Sequence, residues 1–450
     1  MKLVARLARF ALMQRAMVGA TLTLGIKASG ALLMIAVFTL AARSMSTARF
    51  GEIAMWFNAL SCLAVASVFG QDTLIVRSWG EYGEQGRPDL MVGAYRFGWA
   101  TVAICAGLAC AALLVADRLI SAPLSGFALA AACAFLAAQI FQHYSSHSSR
   151  TIRGYVVSEP HRELTWRLIL LAVVALHLKG ALTIETFFFA AAAGMALSTA
   201  IQTFAVLRRF PVQQRPAYLT REWLGRASGM CLSASVEALS QYAEVIILGL
   251  LATPSAAAGY FIAMRIANIF PMMSTGLNTY TVTKASSLHF GGQTARLQGV
   301  MRSVMTVAAL IATPTFIALA LVAEPILSIF GPSYVADYPA LIILASASFI
   351  VMLCGPSPGL LLITGDEKLW SRIAALSLVL RIALMSRLAP EYGAVGAAMS
   401  WAIVNIPVAI SASLICRRRC GVDPSVASLL SYRRQWRALR ASEASTRQGA

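Results

Sequence analysis

The chain alternates long apolar segments with short polar ones from one end to the other. The apolar runs are close to 20 residues each, the length an α-helix needs to cross the hydrocarbon core of a bilayer. Twelve spans follow from this pattern. They lie near 19–42, 53–71, 97–116, 124–142, 164–179, 183–207, 227–251, 257–280, 303–323, 338–363, 372–388 and 393–416. The longest connections fall near 143–163, 208–226 and 281–302, and no soluble domain interrupts the series. The first apolar run is longer than the roughly 7–15 residues of a secretory signal core, so it reads as a retained span. The pattern predicts an all-α integral membrane protein.

The polar positions inside the spans carry the functional information. The richest stretch is Ser235–Pro271, SVEALSQYAEVIILGLLATPSAAAGYFIAMRIANIFP. Glu237, Gln241 and Glu244 sit at i, i+4 and i+7, a spacing that predicts one polar helix face. Thr253, Pro254 and Ser255 break the helix, and Arg265 and Asn268 lie in the span that follows. Charges in such segments cost several kcal/mol each and persist where they pair, face the bundle interior or line a wet path. The Thr253–Ser255 turn would place Glu244 and Arg265 at similar depth in an antiparallel hairpin. Arg265 therefore either pairs with Glu244 or neutralises an anionic substrate, and the two are compatible if a phosphate competes for the arginine. Lys27 in span one and Arg381 in span eleven either line a central cavity or snorkel to an interface. Asp72 and Arg77 end span two. Arg77 marks the inner interface, with a place at the substrate entrance as the second reading.

Charge placement orients the chain. Formal net charge is +18, but charged residues make up only 12% of a chain that is 58% hydrophobic, against about 25% charged in soluble domains. With the N-terminus inside, the outer segments hold only Arg43, Arg49, Arg118, Lys179 and Arg387. Lys27, Arg265 and Arg381 lie within spans, and all the rest of the 37 Lys and Arg fall in inner segments. The positive-inside rule then predicts both termini cytoplasmic. It also accounts for the positive charge without nucleic acid. The basic starts and ends of the chain, residues 2–12 and Arg433 to Arg440 with Trp436, have the interleaved pattern of interfacial helices on anionic lipid. The tail equally suits a plain basic cytoplasmic extension.

A faint repeat divides the spans. Ser46–Met55 (STARFGEIAM) and Ser255–Met264 (SAAAGYFIAM) agree at five of ten positions, between spans one and two and between spans seven and eight. The predicted organisation is an interfacial segment 1–18, a six-helix lobe 19–207, a cytoplasmic linker 208–226, a second six-helix lobe 227–416 and a basic tail 417–450. Internal repeats of this kind build many transporters, with the substrate site between the halves.

Enzyme chemistry is not indicated. The sequence has no P-loop, no nucleophile elbow and no HExxH, so it presents no catalytic residues, metal site or cofactor motif. Any transport would then be facilitated or driven by an ion gradient. His143 and His147 in QHYSSHSSR share a helical face without acidic or cysteine partners at ligand spacing, and read as interfacial polar residues. The eight cysteines lie mostly in apolar spans and read as small buried hydrophobes. Trp56, Trp79, Trp99, Trp166 and Trp223 fall near span ends, as in aromatic belts.

Several motifs together resemble the lipid-linked oligosaccharide flippases of bacterial polysaccharide and O-antigen assembly. These belong to the multidrug/oligosaccharidyl-lipid/polysaccharide exporter superfamily. The motifs are Lys27 with LLMIAVFTLAARSMSTARFGEIAM, Phe69-Gly70 through Arg77 and Glu81-Tyr82, Glu244 before an apolar run and Gly259-Tyr260, PILSIFGPSY at Pro325–Tyr334, and GDEK at Gly365–Lys368. They run in order from about Lys27 to Arg418. Glutamate stands at 244 where the family commonly has aspartate, and no long outer loop is present. The resemblance implies a MATE-like fold of two lobes in the bacterial inner membrane. It implies translocation of a polyprenyl-diphosphate-linked oligosaccharide by alternating access, with Lys27, Arg77, Arg265 and Arg381 toward phosphate or acidic sugar. Glu244, Glu237 and Asp72 would pair or couple an ion. Membrane lipids, glycosyltransferases and a polysaccharide polymerase are the implied partners.

Three alternatives remain on the residues. A cation-coupled multidrug exporter of the same superfamily would favour acidic residues in the spans, where bases match or outnumber acids here. The peptidoglycan-precursor flippase usually has fourteen spans. A membrane polysaccharide polymerase would place arginines on a long outer loop, and Glu324–Asp337 has none.

Overall fold

The computed structural model describes residues 25–119, 125–177, 182–208, 215–290, 293–363 and 366–429, in which every regular element is helical. The basic segment 1–18 and residues 430–450 lie outside the described residues. Contacts divide the chain into two compact units, Met1–Ile246 and Ile247–Ala450.

The first unit begins with α1 (Gly25–Ser44) and α2 (Thr47–Ser67). Ser46 caps α2 by accepting from the Arg49 amide at 3.4 Å. Phe69 and Gly70 then take positive φ, 53° and 66°, and turn the chain into α3 (Gln71–Glu84). Next come α4 (Pro88–Leu119), α5 (Gly126–Arg153) and the short α6 (Tyr155–Pro160). Pro160 cannot donate to the turn before it, and the helix widens into a π turn at His161–Thr165 before continuing as α7 (Trp166–Leu176). α8 (Ile184–Leu207) follows, and α9 (Thr220–Leu251) runs from the first unit into the second.

α5 is the axis of the first unit: α2, α3, α4, α6 and α8 all pack on it. Its first half is apolar inside. Phe135 meets Phe57 and Phe188 at 5.6 and 5.1 Å between ring centroids, and Phe38 extends the cluster through Phe57. Tyr144 crosses to α4 and donates from its hydroxyl to the Tyr95 carbonyl at 2.8 Å. α9 is fastened to α3 by its first turns. Trp223 is fully buried and donates from Nε1 to the Tyr82 hydroxyl at 2.8 Å.

After the end of α9, the second unit continues at the break expected from the sequence. Thr253 caps α10 (Pro254–Ala267) by accepting from the Ala256 amide at 3.1 Å, and Pro254 occupies the first turn, where its missing N–H costs nothing. Then come α11 (Ile269–Phe290), α12 (Thr294–Phe330), a 3-10 turn at Pro332–Asp337, α13 (Tyr338–Leu353), α14 (Ser357–Ile363) and α15 (Glu367–Arg419). Gly393 (φ 54°) interrupts α15. Here α13 is the axis, packed by α10, α11, α12 and α15. Ile53 and Ala54 on α2, and Ile262 and Ala263 on α10, are all buried.

Ten helices among the described residues are long and apolar enough to cross a membrane, against the twelve expected. The difference lies in two places. Lys368–Arg419 counts as one span where two were expected, although the interruption at Gly393 falls where they part. α7 is only 11 residues, because the π turn precedes it. The connection expected at 143–163 is itself largely helical, with α5 continuing to Arg153.

Candidate functional site

The interior of α5 changes character at Gln139. Beyond it Gln142, Ser145, Ser146, Ser148 and Ser149 are all buried, so the QHYSSHSSR stretch is an internal polar seam. It meets α2, α3, α6 and α8. Gln139 donates to Ser61 on α2 at 3.1 Å. Gln202 of α8 accepts from Ser145 and Ser146 at 2.9 and 3.1 Å and donates to the Ser158 carbonyl at 3.1 Å. Ser158 in turn donates to the Ser146 carbonyl at 2.8 Å, and Ser198 to the His161 carbonyl at 2.6 Å. Burial without partners is what makes a polar group expensive, and Gln202 satisfies three groups at once. Gln202→Leu is therefore expected to lower stability by roughly 3 kcal/mol, the scale for stranding several buried groups. The melting temperature of the purified protein checks this.

Charged groups line the same seam. His147 Nδ1 lies 3.8 Å from Asp72 Oδ2 on α3, and Arg150 lies 3.7 Å from Glu159, which is 0% exposed. Among the described residues no group donates a hydrogen bond to either Glu159 oxygen. Glu163 on the π turn pairs with Arg167 at 2.6 Å and lies 3.7 Å from Arg162. α1 approaches this turn at Gly30, where a Cβ would sit 3.0 Å from the Glu163 carbonyl oxygen. His143 and His147, expected at an interface, are both half-buried on α5, and His147 faces Asp72. Among the described residues no group of three metal-ligand side chains forms.

The residues singled out in the sequence distribute as follows. Asp72 joins the seam. Lys27 is exposed on α1, one turn before Gly30. Arg77, 57% exposed, lies 3.8 Å from Glu81. Glu81 also accepts from Arg226 of α9 at 2.8 Å, and Arg226 reaches Glu222 at 2.5 Å. Arg77 therefore stands at the end of a charged chain that ties α3 to α9. On α9, Glu237 and Gln241 are exposed while Glu244 is 5% exposed, so the face they share by spacing divides between surface and interior. In the second unit, the Arg265 guanidinium lies 4.9 Å from the Phe261 ring centroid, a cation–π distance. Arg381 is 8% exposed on α15. The set thus splits between the units: Lys27, Asp72, Arg77, Glu237 and Glu244 in the first, Arg265 and Arg381 in the second. Glu159, Arg150 and Gln202 carry no spacing signal in the sequence, because their partners come from other helices.

No family model matches the chain, and no curated protein matches it in sequence. Solved structures do match in shape. One is a multidrug resistance MATE family transporter of the MOP superfamily in its inward-facing conformation. It is 14% identical with a TM-score of 0.70, over 87% of this chain and 94% of that one. Another is the lipid II flippase MurJ, 11% identical with a TM-score of 0.64, over 86% and 87% of the two chains. A third is a MOP superfamily transporter from Pyrococcus furiosus, described as having a binding pocket of reverse polarity that suggests a different function. It is 15% identical with a TM-score of 0.62, over 90% and 95%. At these identities the likeness is one of fold, and the chain has the all-α, MATE-like membrane fold that these transporters share.

Proposed function

We propose that this protein moves a polyprenyl-diphosphate-linked oligosaccharide from the inner to the outer face of the bacterial cytoplasmic membrane, by alternating access of its two units. The observation that carries the reading is Arg381, a cationic side chain 8% exposed on a long apolar helix. A charge kept inside such a helix is costly, and functional charges of this kind lie on substrate paths. The diphosphate and sugars of the substrate cannot cross about 30 Å of hydrocarbon unaided. In this reading Lys27, Arg265 and Arg381 hold phosphate or acidic sugar while the lipid tail stays in the bilayer. Glu244, Glu237 and Asp72 set the charge of the basic groups or carry a coupled ion, and Arg77 stands near the entrance. The fold is compatible, being shared with a flippase of a lipid-linked substrate.

A second reading, a cation-coupled multidrug exporter, is favoured by the buried Glu244 and by the multidrug transporter of similar fold. Deletion of the gene separates the two. The expected result is loss of surface polysaccharide, with unpolymerised lipid-linked repeat units trapped on the inner face, read by lipid extraction. Normal polysaccharide with raised sensitivity to cationic drugs would overturn the flippase reading and favour the exporter.

A further inference from the structure

The second unit contains a cavity of about 140 Å³ that the residues discussed so far do not line. Ser274 and Asn278 of α11, Ser357 of α14, and Trp370, Asn405 and Ala409 of α15 form much of its wall. None of the lining residues is charged. We propose that this cavity holds one neutral sugar ring, and on the flippase reading above that ring belongs to the oligosaccharide headgroup.

Size is the first argument. The space is close to the about 150 Å³ cavity that takes a benzene ring, so it accepts a single six-membered ring and not two. Chemistry is the second. A diphosphate placed here would be stripped of water with no counter-charge in the wall, at a cost of many kcal/mol. An apolar or cationic drug would leave the remaining acceptor capacity of the wall's amides and hydroxyls unmatched, which is how polar sites reject ligands without matching groups. A ring bearing hydroxyls matches them, since each hydroxyl donates once and accepts twice and an amide does both.

The wall is pre-set for this. Asn405 Nδ2 donates to the Trp401 carbonyl at 2.9 Å, which fixes the amide and leaves its oxygen as an acceptor. Ser357 donates to the Cys354 carbonyl at 3.0 Å and keeps its oxygen lone pairs for an incoming hydroxyl. Trp370 packs against the core cluster of Leu297, Met301, Leu361 and Cys416, so the indole is held in place. It supplies the flat apolar surface that the C–H face of a pyranose can cover.

The test uses the purified full chain in lipid nanodiscs. The probes are the methyl glycosides of glucose, galactose and N-acetylglucosamine, observed by saturation-transfer NMR. At least one glycoside is expected to bind. Binding should weaken at least about tenfold, or 1.4 kcal/mol, in Trp370→Ala and in Ala409→Leu, which fills the cavity from a half-buried position. It should persist in Trp370→Phe, and inorganic pyrophosphate should not displace the sugar. Absence of binding by all three glycosides, binding unchanged in Ala409→Leu, or displacement by pyrophosphate would each overturn the proposal. If Trp370→Ala does not fold, Ala409→Leu and Trp370→Phe decide the matter. The readout needs no export, so its failure removes the cavity site alone, whereas a deletion strain with normal polysaccharide removes the flippase reading and leaves sugar binding standing.

Discussion

Gly70→Val is expected to leave little folded protein, read as loss of the monodisperse peak on detergent size exclusion and a sharply lowered melting temperature. Gly70 has φ 66°, and a Cβ built there would lie 2.6 Å from the Ala227 carbonyl oxygen and 2.8 Å from the Met230 Cβ of α9. A left-handed conformation costs an L-residue roughly 1–2 kcal/mol, and a β-branched one more. Overpacking against a backbone that cannot give way adds about 1–3 kcal/mol. The sum, about 2–5 kcal/mol, is a large share of the 5–15 kcal/mol that stabilises a typical domain. Gly80→Ala is the control. It lies inside α3, the helix that Gly70 opens, with nothing within 4 Å of its Cβ position, so alanine should be neutral or stabilise by up to about 1 kcal/mol. Equal behaviour of the two variants would show that the α2–α3 turn does not depend on this contact.

On the flippase reading proposed above, Arg381→Ala is expected to reduce export of lipid-linked repeat units at least tenfold without loss of protein from the membrane. Hydrogen bonds to a charged group contribute about 1.5–3 kcal/mol, which corresponds to roughly tenfold to a hundredfold in binding. Lys27→Ala and Arg265→Ala should act in the same direction. Surface polymer and the trapped lipid-linked pool are the readouts, with membrane abundance measured in parallel. Arg381→Gln removes the charge while keeping much of the volume, so it tests the charge if the alanine variant is poorly folded. Wild-type export in both Arg265→Ala and Lys27→Ala would sink the cationic site.

Much of the fold was legible before any coordinates. Long apolar runs announced membrane helices, and Thr253-Pro254 announced a helix start, since a threonine cap followed by proline is favoured there on local grounds. The span count was less legible. The break in Lys368–Arg419 was legible, since the spans 372–388 and 393–416 part just before the interruption at Gly393, but the π turn after Pro160 that shortens α7 was not.

The site was legible only as a list of expensive charges. Lys27, Arg265, Arg381 and Glu244 stand out from their apolar neighbours whatever the fold. The sequence could not show that Arg77 joins Glu81 and Arg226, or that the serines and histidines of α5 turn inward to Gln202, Asp72 and Glu159.

Hydropathy and capping are properties of neighbours along the chain, so the sequence by itself determined the membrane class, the helix series and the break at Thr253. Which polar side chain is satisfied, and by what, depends on helices far apart in sequence. Glu159, Gln202 and the cavity around Asn405 acquired their meaning only when the tertiary structure set α5 against α6 and α8, and α14 against α11 and α15. The physical reason is that a buried polar group must find its partner across space, and no window along the sequence contains that partner.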